Sequence, residues 1–294
     1  MNKYQVSYIT DNYYSQPVHK AVLEFMVLPE KTSSQNYYDL KIENSLGINA
    51  QFSHSLFNAN LLRFNLQKPF SAFGMKVSFT VEKEVINPFD FIELSCELEN
   101  KMLHELTFMI SNHNFLSLSR YTTPEKQDIP CIIMRQRNEP VFMYLQRLNT
   151  FVNGFLKYQT NSTTTQTMID DILLHRKGVC QDFAHLFICL ARISGIPARY
   201  VSGYLDQGSD LAGSAALHAW AEALIPGIGW IGFDPANRLV ANEHYIKIAH
   251  GVDYADCMPI KGVLQFAGES NTNYFVNVKM KNELNYIQNQ VQSQ

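Results

Sequence analysis

From Tyr4 to about Val85 apolar and polar positions alternate in short stretches: Tyr4-Val6-Tyr8, Ala21 to Leu28, Tyr38-Leu40-Ile42, Leu61 to Leu66 and Met75 to Val81. A period of two puts successive side chains on opposite faces, so each stretch predicts a half-buried strand. Strands at this spacing, separated by polar and Asn-, Ser- or Pro-bearing segments, predict a small antiparallel sandwich. The segment Asn87 to Ser119 follows neither the strand nor the helix period. Thr122 to Pro130 is charged, carries two prolines and reads as a surface connection. It divides the chain into a β-rich part, residues 1–122, and a second part, residues 123–294.

Past that connection the period lengthens. Phe142, Leu145, Leu148, Val152 and Phe155 recur at helical spacing after Pro140. A second helix is expected from Thr167, with Asp170 three residues on as an imperfect capping box and Gly178 as its stop. A third runs from about Cys180 to Ser194, ending on Gly195 with Pro197 two residues later. Phe183, Leu186, Phe187, Leu190 and Ile193 make it apolar around its circumference, which predicts a buried central helix. Strands follow at Ala198 to Tyr204, Leu217 to Ile225, Trp230 to Asp234 and Tyr274 to Val278, and the polar tail from Gln288 to Gln294 is expected to fray.

Composition narrows the class. The chain of 294 residues is 46% hydrophobic and 17% charged, which is globular rather than disordered or fibrous. With a net charge of −3 and no basic run, it lacks the footprint of a nucleic-acid binder. No window approaches the roughly 18 apolar residues of a membrane span, and the amino terminus lacks the apolar stretch of a secretory signal. Five scattered cysteines, an odd number, fit a reducing cytoplasm better than a disulfide framework. Neither nucleic acid nor a membrane is therefore expected as a partner.

Among those cysteines Cys180 stands apart. It opens the buried helix, where free N–H groups and the helix dipole favour a thiolate. Its own N–H is a candidate oxyanion donor. His218 lies in an alternating strand with Trp220, Glu222 and Leu224 on its face, and Asp234 shares a face with Trp230 and Gly232 on the next. If Leu224 pairs with Trp230, Asp234 falls opposite Trp220 and diagonal to His218. Pairing Ile225 with Trp230 would separate the two side chains onto opposite faces. Cys180, His218 and Asp234 thus supply a nucleophile, a base and an orienting carboxylate. Gln181, Trp220 and Tyr204 are weaker candidates for the oxyanion or acyl pocket, with core packing at least as good a reading for the two aromatics. His185, five residues after Cys180, is off its helical face. No Cys-x-x-Cys or His-Glu-x-x-His spacing points to a metal, no acidic loop has calcium-ligand spacing, and the chemistry requires no cofactor.

The motifs Gly178-Val179-Cys180-Gln181-Asp182-Phe183-Ala184-His185-Leu186, Gly195-Ile196-Pro197-Ala198-Arg199-Tyr200-Val201-Ser202-Gly203-Tyr204, His218-Ala219-Trp220 and Gly227 to Pro235 resemble the core of bacterial transglutaminase-like proteins. Asp253-Tyr254-Ala255-Asp256 and the β-rich first hundred residues extend the resemblance. It implies an α+β fold in which an N-terminal antiparallel β-sandwich-like domain precedes a papain-like catalytic domain. It also implies a Cys-His-Asp triad, and His185 as a support of the core nearby. The sequence departs from the family pattern at Ala236, where a threonine commonly follows Asp-Pro, and at His250-Gly251-Val252-Asp253. The expected activity is thiol-dependent acyl transfer on peptide, isopeptide or glutamine amides of a peptide or protein substrate through a thioester, with hydrolysis favoured over transfer to a lysine amine. The alternative is a non-catalytic scaffold of the same fold.

Overall fold

The computed structural model describes residues 1–125, 133–206, 212 and 217–281. The expected tail from Gln288 to Gln294 lies outside the described residues, as do residues 126–130 of the Thr122 to Pro130 connection.

The amino-terminal alternation yields β1 (Asn2–Val18), β2 (Lys20–Phe25), β3 (Gln35–Asn44), β4 (Gln51–His54), β5 (Asn60–Leu66) and β6 (Phe70–Lys83). The ambiguous segment forms three short helices, α1 (Cys96–Leu103), α2 (Leu106–Ser111) and α3 (His113–Leu116). Then come α4 (Val141–Phe155), β7 (Lys157–Tyr158), α5 (Ile169–His175), β8 (Lys177–Gly178) and α6 (Cys180–Ile193). The chain continues through β9 (Ala198–Leu205), β10 (His218–Ile225), β11 (Gly229–Asp234), β12 (Leu239–Val240) and β13 (Tyr245–Gly251), and closes with β14 (Ile260–Gln265) and β15 (Ser270–Met280).

Two four-stranded antiparallel sheets, in the orders β15-β1-β6-β3 and β14-β2-β5-β4, pack face to face through Phe25, Phe64 and Phe73. Their last strands come from the far end of the chain: β15 pairs with β1 from Tyr4↔Met280 to Tyr14↔Ser270, and β14 pairs with β2. The expected division at residue 122 therefore does not follow the pairing, because residues 260–280 complete the amino-terminal sandwich. Residues 96–116 lean the other way, with Phe115 edge-on to Trp230 of β11 at 5.3 Å.

The second body is a five-stranded sheet, β12-β11-β10-β9-β13, with α6 on one face. In β10 the small side chains of Ala219, Ala221 and Ala223 join the core that α6 enters, so the helix can lie close against the sheet. The alternate positions put Trp220 on the other face, packed with Val201, Leu205 and Tyr245. α6 ends as its punctuation predicts: Gly195 is left-handed (φ 76°), and Ile196 N–H returns to Ala191 O at 3.0 Å. α5 corrects the expectation for the second helix. Its cap is Met168, without a side-chain bond, and left-handed Arg176 ends it. Asp170 instead accepts from Glu125 N–H at 3.1 Å, so no capping box forms. Among the described residues no helix is long and apolar enough to cross a membrane.

The sandwich is joined to the back of the sheet by polar contacts. The Gln35 side chain clasps the backbone of Lys247 in β13, donating to its O at 2.8 Å and accepting from its N–H at 3.0 Å. Lys247 Nζ reaches Glu222 at 2.8 Å, which Arg199 also binds at 2.6 Å.

Candidate active site

Cys180 is the first residue of α6 and is half-buried. The turn that presents it is built by Asp182. Its Oδ2 accepts from Val179 N–H at 2.7 Å and from Thr163 Oγ1 at 2.6 Å, which satisfies the donor just ahead of the helix. Gly178 makes room for this carboxylate, since a Cβ there would sit 2.5 Å from Asp182 Oδ2. The glycine thus belongs to the nucleophile's turn rather than to the end of α5. Burial raises the Asp182 carboxyl, and its hydrogen bonds offset that only in part; Oδ1 has no partner among the described residues.

The hairpin that carries the other two groups has the register expected for a shared face. Leu224 pairs with Trp230 and Ala221 with Phe233, and Ile225 also pairs with Gly229, which leaves a three-residue turn, Pro226 to Ile228. His218, the first residue of β10, is 1% exposed, and its Nε2 lies 2.7 Å from Asp234 Oδ2 at the end of β11. With Nε2 committed, Nδ1 is the nitrogen left for Cys180. It is buried without a partner of ordinary geometry, so the thiol contact is loose. Burial works against charge on His218, yet the Asp234 carboxylate and then Cys180 hold its pKa above the ordinary imidazole value.

Asp234 is fully buried and saturated with donors. Oδ2 accepts from His218, from Asn237 Nδ2 at 2.8 Å and from Tyr245 OH at 2.9 Å; Oδ1 accepts from Ala236 N–H at 3.1 Å and Asn237 N–H at 3.2 Å. Burial alone would raise this carboxyl, but the His218 charge and these bonds hold it below the usual carboxylate range.

The structure brings Cys180, His218 and Asp234 together and sorts the weaker candidates. Trp220 lies beside His218 with near-parallel rings 6.2 Å apart, and it covers the His–Asp pair as a wall. Tyr204 is a correction. It is fully buried, donates to Val27 O at 2.7 Å and packs on Phe79 of β6, so it joins sheet to sandwich and lines no acyl pocket. Core packing, the other reading its sequence allowed, is the one the contacts support. Gln181 is buried in the first turn of α6, and no described residue hydrogen-bonds its side chain. His185 supports the core: it stacks on Tyr121 at 5.1 Å, accepts from Tyr254 N–H at 3.3 Å, and burial lowers its pKa to about 3.

Residues that sequence reasoning missed surround these groups. Asn237, three positions past Asp234 in a tight turn, is the one with a local signal. Tyr245 and Thr163 have none. Nor do Tyr158, Tyr200 and Tyr274, whose phenols are raised first by burial and next by Cys180. Tyr274 stands on β15 of the sandwich, stacked on Tyr8.

On an α+β frame, a half-buried thiol at a helix start thus faces an imidazole whose far nitrogen is held by a carboxylate. Residues 133–235 match the family model described as the transglutaminase-like superfamily. The chain is similar to a candidate cysteine protease from Cytophaga hutchinsonii, with a TM-score of 0.72, 23% identity, 96% of this chain covered and 91% of that one. That likeness shows the fold. An uncharacterized protein of Mycobacterium tuberculosis is 38% identical over 141 residues, 45% of each chain, and one of Mycobacterium leprae is 37% identical over 127 residues, 42% of this chain and 45% of that one. The match thus spans less than half the length of these relatives.

Proposed function

We propose that this protein is a thiol-dependent acyl-transfer enzyme acting on peptide, isopeptide or glutamine amides, with Cys180 as nucleophile, His218 as acid and base, and Asp234 as the group that orients His218. The observation that carries the reading is the buried His218–Asp234 pair at 2.7 Å, with the free ring nitrogen left toward a thiol at the start of α6. His218 takes the Cys180 proton, and the thiolate attacks the amide carbonyl carbon, forming a C–S bond and an oxyanion. Backbone N–H groups at the open first turn of α6 are donors for that oxyanion. The oxyanion collapses, the C–N bond breaks, and His218 gives its proton to the departing amine, leaving a thioester. Water, deprotonated by His218, attacks the thioester and releases an acid and the Cys180 thiolate.

A lysine amine replacing that water gives transglutamination through the same groups. Hydrolysis is the favoured outcome, because the thiol is half-exposed and bulk water competes unless excluded. A cytoplasmic place of action belongs to the same proposal, supported by free cysteines at 96, 180, 189 and 257.

The test is turnover of glutaminyl and isopeptide amides by the purified chain, with and without a lysine-like amine, beside Cys180→Ser. We expect ammonia or amine release that Cys180→Ser abolishes, with acid as the main product even in the presence of amine. Release that survives in Cys180→Ser contradicts the reading. So does the absence of any thioester trapped by hydroxylamine across a peptide-amide library, which favours the scaffold.

A further inference from the structure

We propose that Tyr245 is a positioning residue for the His218–Asp234 pair, and that through it the amino-terminal sandwich takes part in the chemistry; this rests on the triad proposed above. The Tyr245 hydroxyl donates to Asp234 Oδ2 at 2.9 Å, the same oxygen that holds His218 Nε2. Its ring, 1% exposed, packs edge-on against Trp220 at 5.3 Å and lies 6.3 Å from the His218 ring. One side chain therefore touches both members of the pair. A phenylalanine would fill the same space, and a buried hydroxyl is costly unless bonded, so what the hydroxyl adds is the bond to the carboxylate. Burial and the Asp234 charge hold the phenol far above its ordinary acidity range, so it stays a donor.

Tyr245 is in turn held from the sandwich. Lys83, the last residue of β6, donates through Nζ to the Tyr245 carbonyl, and Gln35 clasps Lys247 two residues on. The position of the phenol, and with it the plane of the Asp234 carboxylate, is set partly by a sheet that contributes no triad residue. Removing the hydroxyl takes one donor from the Asp234 anion, so Asp234 protonates at a higher pH and releases His218 sooner on acidification.

The experiment follows iodoacetamide labelling of Cys180 against pH in the full chain, in wild type, Tyr245→Phe, Lys83→Met and Tyr204→Phe. In Tyr245→Phe the acid limb is expected to move up by about half to one pH unit, with the plateau lowered several-fold. Lys83→Met is expected to move it the same way by less. Tyr204→Phe loses a comparable buried hydroxyl bond, to Val27 O, and should lose stability to urea with its limb unmoved. An unmoved limb in Tyr245→Phe overturns the positioning role, and an unmoved limb in Lys83→Met overturns the sandwich's share in it. A wild-type Cys180 no more reactive than Cys96 is a distinguishable failure, since it overturns the triad itself.

Discussion

Asp182 and Asp234 are both fully buried carboxylates near the same thiol, and they are held in opposite ways. Asp182 has Thr163 and Val179 on one oxygen and no described residue bonded to the other, so burial wins and its carboxyl is raised. Asp234 has donors on both oxygens and an imidazole beside it, so the anion wins and its carboxyl is lowered. Burial is common to both. The number and charge of the donors decides which carboxylate shapes a turn and which can stabilise an imidazolium.

The largest effect expected from that contrast is on turnover. Asp234→Asn should lower kcat/KM by roughly three to four orders of magnitude, as when a triad carboxylate loses its charge, while Asp182→Asn should cost far less. Steady-state kinetics on the best amide substrate checks it, and similar losses in the two variants would erase the distinction.

Gly178→Ala comes next. Its Cβ would press on Asp182 Oδ2 at 2.5 Å, and the displaced carboxylate would free Val179 N–H, at a cost of about 1–3 kcal/mol by urea unfolding. Gly154→Ala, where a Cβ meets nothing within 4 Å in the last turn of α4, should be neutral or stabilising.

The smallest effect is the sharpest, because it has a sign. The raised Asp182 carboxyl contributes stability in acid that is lost as pH rises through its folded value. The lowered Asp234 carboxyl contributes stability that is present above its unfolded value, about 3.9, and is lost as pH falls through its folded value. The unfolding cost of Asp182→Asn should therefore shrink as pH rises above about 4, and that of Asp234→Asn should shrink as pH falls below about 4. Slopes of the same sign would refute the contrast. His185 is a further acid-sensitive buried group. Its folded value near 3 makes stability fall as pH drops from about 6.5 toward that value, by up to about 1.4 kcal/mol per pH unit.

The two halves of the site were unequally legible in the sequence. The start of α6 could be read because an apolar run bounded by Gly195 and Pro197 fixes a buried helix, and the β10–β11 register because, of the two pairings weighed, only Leu224 with Trp230 puts His218 and Asp234 on one face. Both are local signals. Nothing local says that β15 pairs with β1 more than 250 residues away, that Tyr204 points into the sandwich, or that Tyr245 reaches Asp234, since strand pairing across long separations leaves no mark on either segment alone. The helices between residues 96 and 116 escaped for another reason. They are short, and α2 and α3 bury no residue fully, so the apolar period is too weak to register.

The central claim is that His218 activates Cys180, and iodoacetamide labelling of Cys180 and Cys96 at about pH 6, in wild type and His218→Ala, tests it most directly. The account predicts that Cys180 reacts well ahead of Cys96 in wild type and falls to its rate in His218→Ala. Equal rates in wild type, or a Cys180 lead that survives the loss of His218, would contradict it.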